Sequence, residues 1–138
     1  MDSAYTATLI AWCRSKASQG KLDNADVVET GYNPKCGDRL TVYIKKRENN
    51  SLHVVFEPEA CMLCVASAES VIRICNDSQE VPATLANHLA EVVSHEFSLG
   101  VYPETEKVLR DLLSSYPVRK TCLTLPWETV INALRKTG

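Results

Sequence analysis

At 138 residues the chain is long enough for one domain with a core of its own, without disulfides or metal as staples. Its 45% hydrophobic and 23% charged residues are ordinary for a globular domain, and 15 Lys+Arg against 17 Asp+Glu leave a net charge of -2, which argues against nucleic acid or a membrane surface as partner. No stretch reaches the roughly 18 apolar residues of a membrane span, and no basic segment precedes the first apolar one, so a cytoplasmic protein is expected, with six cysteines that are sooner metal ligands or reactive thiols than disulfides.

Tyr5, Leu9, Trp12 and Cys13 recur at helical spacing and predict a first helix ending near Lys16, with Cys13 a small buried residue on its apolar stripe. Residues 17–26, ASQGKLDNAD, read as a loop, and VVETGY after them as a short strand. Proline fixes φ and pushes the residue before it out of the helical region, so Asn33-Pro34 turns the chain and Cys36 lies on a loop. Gly37, without a Cβ, lets Cys36 and Asp38 fold toward a common point. Leu40, Val42 and Ile44 alternate with Thr41, Tyr43 and Lys45, and Leu52, Val54 and Phe56 with His53, Val55 and Glu57. This period of two predicts strands at 40–46 and 52–57, joined through RENNS as an antiparallel hairpin with His53 toward solvent.

After Pro58 the period lengthens: Cys61, Val65, Ala68, Ile72 and Cys75 predict a helix from Cys61, whose small Ala66, Ser67, Ala68 and Ser70 admit another backbone closely. Leu85, Leu89, Val92, Val93 and Phe97 mark a second helix, and Val108, Leu109, Leu112 and Leu113 a third, opened by Pro103 and Glu104; Gly100 separates them. Pro117 makes YPVRKTC extended or looped, and TLPWETVINALRK closes the chain as a helix capped by Thr124, with Val130, Ile131 and Leu134 buried. The order of elements is that of a single α+β domain over residues 1–138, a small three-stranded antiparallel sheet packed against several helices.

The chemistry concentrates in three cysteines. Cys36 precedes a strand, while Cys61 and Cys122 start predicted helices, where the N-terminal partial charge favours thiolate over thiol. With Asp38 they make three thiolates and a carboxylate, a set suited to tetrahedral zinc or to the iron of an iron–sulfur cluster. From the residues alone two rival readings stay open: a thiol–disulfide oxidoreductase using Cys61-x-x-Cys64, and a structural zinc module for interactions. Cys64 reads as a small core or site-edge residue, and Cys75, His88 and His95 as core or surface residues, neither histidine having a cysteine at ligand spacing.

NPKCGDRLTVYIKK, FEPEACMLCVASAES and YPVRKTCLTLPWETV, in this order along nearly the whole chain, resemble the iron–sulfur cluster assembly family of IscU, the N-terminal part of NifU and SufU. The resemblance implies a SufE/IscU-like fold and a metal site of Cys36, Asp38, Cys61 and Cys122, with Cys36 and Cys122 as the sulfur-handling thiols. It implies zinc, or alternatively an iron–sulfur cluster, as cofactor, and a sulfur acceptor or non-enzymatic scaffold as role. Its implied partners are a SufS-like cysteine desulfurase, docked through Arg119, and downstream iron–sulfur acceptor proteins. The 61-residue step from Cys61 to Cys122, Thr121 in place of the scaffolds' histidine, and Arg119 in PVR are similar to SufU. Ala60 where the family carries glycine, Cys64 at a serine-like position and ASQGKLDNAD in place of the usual proline turn are departures. Lys35, Arg39, Arg119 and Lys120 are the expected counter-charges to such a site.

Overall fold

In the computed structural model, which describes residues 3–138, three strands and five helices follow one another. Helix α1 (Ser3–Arg14) precedes strands β1 (Val27–Tyr32), β2 (Arg39–Lys46) and β3 (Leu52–Glu59). Helices α2 (Met62–Asp77), α3 (Pro82–Ser94), α4 (Pro103–Ser115) and α5 (Lys120–Arg135) follow. The side chain of Tyr5 lies outside the described residues. No helix among the described residues is long and apolar enough to cross a membrane.

The sheet runs β1-β2-β3, antiparallel throughout, with Tyr32 opposite Arg39 and Lys46 opposite Leu52. VVETGY therefore pairs with β2, so that residues 33–38 form a hairpin loop. The alternation predicted for 40–46 holds, and Leu40, Val42, Ile44, Leu52, Val54 and Phe56 are buried on the face covered by α2 and α5; on β3 Val55, expected on the other face, is buried as well. Gly31 allows the closest of these approaches, since a Cβ there would stand 2.0 Å from Thr129 Oγ1 on α5. The loop after α1 lines the free edge of β3, where Phe56 N–H donates to Ser18 O at 2.9 Å and Gly20 N–H to Phe56 O at 3.0 Å. That pairing covers an edge that would otherwise be open.

Helix α2 is the axis of the packing, with α1, α5 and β3 against it. Its small residues do admit a neighbour, for Ser67 Oγ donates to the Leu123 carbonyl of α5 at 2.5 Å. Glu69, fully buried on α2, accepts from Ser18 Oγ at 2.5 Å and from Arg73 Nε at 2.9 Å, which ties the β3-edge loop to the helix. Phe97 is buried as predicted but lies beyond α3, in a turn where Glu96 and Phe97 take φ of 49° and 62°, and its ring meets Trp127 edge-on at 5.2 Å. Glu106 closes the same turn by accepting from the backbone N–H groups of Leu99, Gly100 and Tyr102 at 2.6–2.9 Å.

The start of the last helix differs from expectation. Pro117 opens a 3-10 turn, Pro117–Arg119, that runs straight into α5, so Thr124 is inside the helix and caps nothing. Pro126 is a buried residue of the helix interior, and its missing N–H leaves the carbonyl of Cys122 without that helical partner.

Candidate metal centre

The β1–β2 loop is closed by its own backbone. Asn33 N–H donates to Asp38 O and Gly37 N–H to Asn33 O, both at 2.8 Å, and Lys35 N–H donates to Asn33 Oδ1 at 3.0 Å. Gly37 supplies the left-handed step, φ +77°, that a side chain would resist. The loop exposes Cys36 and turns Asp38 inward, where it is 4% exposed. Asp38 meets the start of α2: the N-cap residue Cys61 donates its N–H to Asp38 Oδ1 at 2.9 Å, and its Sγ lies 3.5 Å from Oδ2. From the first turn of α5, Cys122 brings its Sγ to 3.6 Å from that of Cys36 while being 1% exposed itself.

Ligand atoms of Cys36, Asp38 and Cys122 all lie within 4.8 Å of one another. Cys61 stands outside that mutual reach and joins the group through Asp38. Tetrahedral zinc with sulfur at about 2.3 Å and oxygen at about 2.0 Å sets sulfur pairs about 3.8 Å apart and sulfur–oxygen pairs about 3.5 Å apart. The 3.6 Å between Cys36 and Cys122 and the 3.5 Å between Cys61 and Asp38 match those edges, so Cys36, Asp38 and Cys122 fit such an ion as they stand, and Cys61 would have to draw in toward the other two sulfurs to complete the tetrahedron.

The electrostatics correct one expectation. Burial pushes the Cys122 thiol up, and its hydrogen bonds with Asp38 and Cys36 push the same way, so the helix N-terminus does not prime it as a free thiolate. A coordinated cation reverses that balance, since a ligating thiol is deprotonated. For Asp38, burial acts to raise the carboxyl, but hydrogen bonds from Cys61 N–H and from the Cys36, Cys122 and Cys61 thiols outweigh it and hold it below the ordinary carboxylate value. Arg119, paired with the Cys122 thiol and facing Cys61 and Asp38, is the expected counter-charge that reaches the site; its guanidinium is pushed up by them. Two of the others are engaged elsewhere, Arg39 over the Tyr32 ring at 4.9 Å and Lys120 with Glu96 at 3.0 Å.

Beside the site a groove of about 760 Å³ is lined by Leu9, Cys61, Met62, Leu63, Tyr116 and Arg119. Met62 and, on the 3-10 turn, Val118 are 68% and 89% exposed, so the rim is apolar with one cation in it. Two further cysteines stand near the centre, Cys64 at a site edge that the sequence allowed and Cys13 closer than its place on the first helix suggests. Cys64 is 1% exposed; burial pushes its thiol well up, and Asp38, Cys61, Cys122 and Cys36 act on it in the same direction. Cys13 is half-buried and donates to the Met62 carbonyl at 3.4 Å, at the same end of α2. Asn33, which fastens the loop, was legible only as the residue before a proline. His53 is half-buried opposite Lys45, while His88 pairs with Glu80 at 3.0 Å and His95 Nδ1 lies 2.8 Å from the Glu91 carbonyl, so these three are engaged outside the centre.

Residues 4–136 match the family model described as NifU-like N terminal domain. An iron–sulfur cluster assembly scaffold protein IscU of Thermotoga maritima is 32% identical over 133 residues, covering 96% of this chain and 93% of that protein. The zinc-dependent sulfurtransferase SufU of Bacillus subtilis is 22% identical over 138 residues, 99% and 92% of the two chains. A crystal structure from Fervidobacterium islandicum, described as a scaffold protein for the SUF system, superposes with a TM-score of 0.71 at 26% identity, covering 92% and 93% of the two chains. A NifU-like N-terminal structure from Brucella abortus superposes at 0.76 with 20% identity, over 96% and 92%, and shares the fold.

Proposed function

The chain belongs to the NifU-like N-terminal domain family of iron–sulfur cluster assembly scaffolds, and from that premise we propose that it accepts sulfur from a cysteine desulfurase at a centre of Cys36, Asp38, Cys61 and Cys122. The observation that supports this most is the convergence of a hairpin loop and two helix starts on a cluster whose Cys36 and Cys122 sulfurs stand 3.6 Å apart with the Asp38 carboxylate beside them.

Bound zinc would keep the thiolates deprotonated and leave the carboxylate as the ligand most easily replaced. The chain's own residues divide the remaining work. Cys36, exposed on its loop, is the thiol a donor persulfide meets first. Its thiolate attacks the outer sulfur, the sulfur–sulfur bond breaks with its electron pair on the donor cysteine, and Cys36 carries the persulfide away. Cys122, 1% exposed and 3.6 Å from Cys36, takes the sulfur from Cys36 rather than from solution. Its thiolate attacks the outer sulfur, and the sulfur–sulfur bond to Cys36 breaks with its electron pair returning to the Cys36 sulfur. Asp38, held by the N–H of Cys61, keeps the loop registered against α2 during the exchange. Arg119 offsets the charge of the centre and stands on the rim of the groove, where a desulfurase of the SufS kind would dock. Delivery would go to downstream iron–sulfur proteins, in the cytoplasm, from a single domain.

A second reading, assembly of an iron–sulfur cluster as cargo on the same ligands, is favoured by the thiolate-rich set itself. Metal analysis of the anaerobically purified protein with its visible spectrum separates the two. One zinc and no colour identifies the sulfur acceptor, and brown iron with sulfide the scaffold. Transfer of labelled sulfur from a desulfurase should stop in Cys36→Ala; acceptance at the wild-type rate would refute the role given to Cys36.

A further inference from the structure

The sulfurs of Cys36 and Cys122 are in contact, 3.6 Å apart, although one belongs to the β1–β2 loop and the other to the first turn of α5. A disulfide brings its sulfurs to about 2.05 Å, so closure is a movement of about 1.6 Å. Cys36 is the partner placed to make it, since its side chain turns on an exposed loop and not in the core. The environments of the two thiols are unequal. A reagent in solution meets Cys36, whereas Cys122 is shielded at 1% exposure. The other cysteines face other atoms. Cys61 Sγ lies 3.5 Å from Asp38 Oδ2 and outside the mutual reach of the ligand atoms of Cys36 and Cys122, Cys13 donates to the Met62 carbonyl at 3.4 Å, and Cys64 and Cys75 are sealed in the core. An accessible thiol beside a second one that resolves its first oxidation product is the arrangement of a redox-responsive pair.

We infer that Cys36 and Cys122 form a reversible dithiol–disulfide pair, closed by hydrogen peroxide, that takes two thiolates out of the centre. The loss of metal binding rests on the ligand set proposed above, whereas the disulfide rests on the sulfur contact alone. The Cys36 sulfur attacks one peroxide oxygen, and the oxygen–oxygen bond breaks with its electron pair on the other oxygen, which takes the thiol proton and leaves as water. The sulfenic acid so formed on Cys36 has Cys122 as its neighbour. The Cys122 sulfur attacks Cys36 Sγ, the sulfur–oxygen bond breaks with its pair on oxygen, and the hydroxyl departs with the Cys122 proton as a second water. One peroxide is reduced by two electrons as two thiols become one disulfide, so no further reagent enters. Asp38 and Cys61 are left, two ligands where zinc takes four, while the bond from Cys61 N–H to Asp38 still holds the loop to α2. A thiol reductant restores the pair.

The test uses the full chain, reduced, metal-free and anaerobic, treated with a small excess of hydrogen peroxide that catalase then removes. The first oxidised product should be two hydrogens lighter, with a peptide map joining Cys36 to Cys122. It should bind no cobalt(II), and dithiothreitol should restore binding in full. Cys122→Ser and Cys122→Ala should instead stop at the sulfenic acid, which dimedone labels at Cys36. A map joining any other pair, Cys36 left unoxidised, or Cys36 carried to sulfinic acid in wild type without a disulfide overturns the inference, and the wild-type map decides without any variant. Cobalt binding retained by the mapped disulfide overturns the loss of the site. The reduced chain separates this inference from the centre proposed above. A Cys36–Cys122 disulfide in a chain that binds no cobalt before oxidation sustains the pair and contradicts the ligand set; cobalt binding without that disulfide does the reverse.

Discussion

Asp38 is the residue on which most of the centre's geometry turns. Its carboxylate accepts the N–H of Cys61 at 2.9 Å and touches the Cys61 thiol, so it is at once a candidate ligand and the clasp between the hairpin loop and α2. Its folded pKa is depressed, so the stability it contributes is present above its ordinary 3.8 and is lost as pH falls through the lower folded value. Denaturant midpoints of the metal-free protein between pH 6 and about 2 should fall more steeply for wild type than for Asp38→Asn; parallel curves would remove the clasp. Asp38→Cys should keep zinc while abolishing sulfur transfer, and a variant that transfers at the wild-type rate would show that no ligand need be the replaceable carboxylate. The residue types were legible because proline, glycine and the turn they impose place Cys36 and Asp38 on one loop. Which thiols the fold leaves acidic was not: helix position suggested a primed Cys122, and burial beside Asp38 decides otherwise.

Elements were legible where their periodicity ended at a break the chain respects. β2 shows its period of two, and both β2 and β3 bury the predicted side chains, with Val55 of β3 buried besides. The stripe assigned to the second predicted helix continues to Phe97 because that ring belongs to the core, although the backbone has already left the helix at Ser94. Glu106 holds that departure in place through three backbone N–H groups, a contact between residues that no periodicity announces. Glu106→Ala should cost about 1.5–3 kcal/mol, the range for hydrogen bonds to a charged group, and should speed amide exchange at Leu99, Gly100 and Tyr102; unchanged exchange would show the carboxylate to be idle. The approach of β1 to α5 is equally specific. Gly31→Ala brings a Cβ against Thr129 Oγ1 and should cost about 1–3 kcal/mol by overpacking, with much of it recovered in the Gly31→Ala/Thr129→Ala double variant. Additive losses in that double-mutant cycle would contradict the contact.

At the scale of the molecule, the fold carries three segments far apart in sequence to one end: the β1–β2 loop, the start of α2 and the start of α5. Sequence could nominate the side chains, since their chemistry is that of metal ligands, but only the topology sets Cys36 and Cys122 in contact across 86 positions. A metal that binds the folded chain alone stabilises it by mass action, about 2.7 kcal/mol at a free concentration one hundred times Kd, so a chelator should lower Tm and added zinc restore it. All six cysteines are free thiols, which leaves every member of the centre available to that equilibrium. The most direct test is a cobalt(II) titration of the metal-free protein followed by absorption. The account predicts saturation at one ion per chain with the intense bands of a four-coordinate thiolate site, weakened in Cys36→Ser, Cys61→Ser, Cys122→Ser and Asp38→Ala alike. A pale six-coordinate spectrum, or a Cys61→Ser variant that binds as wild type, would contradict it.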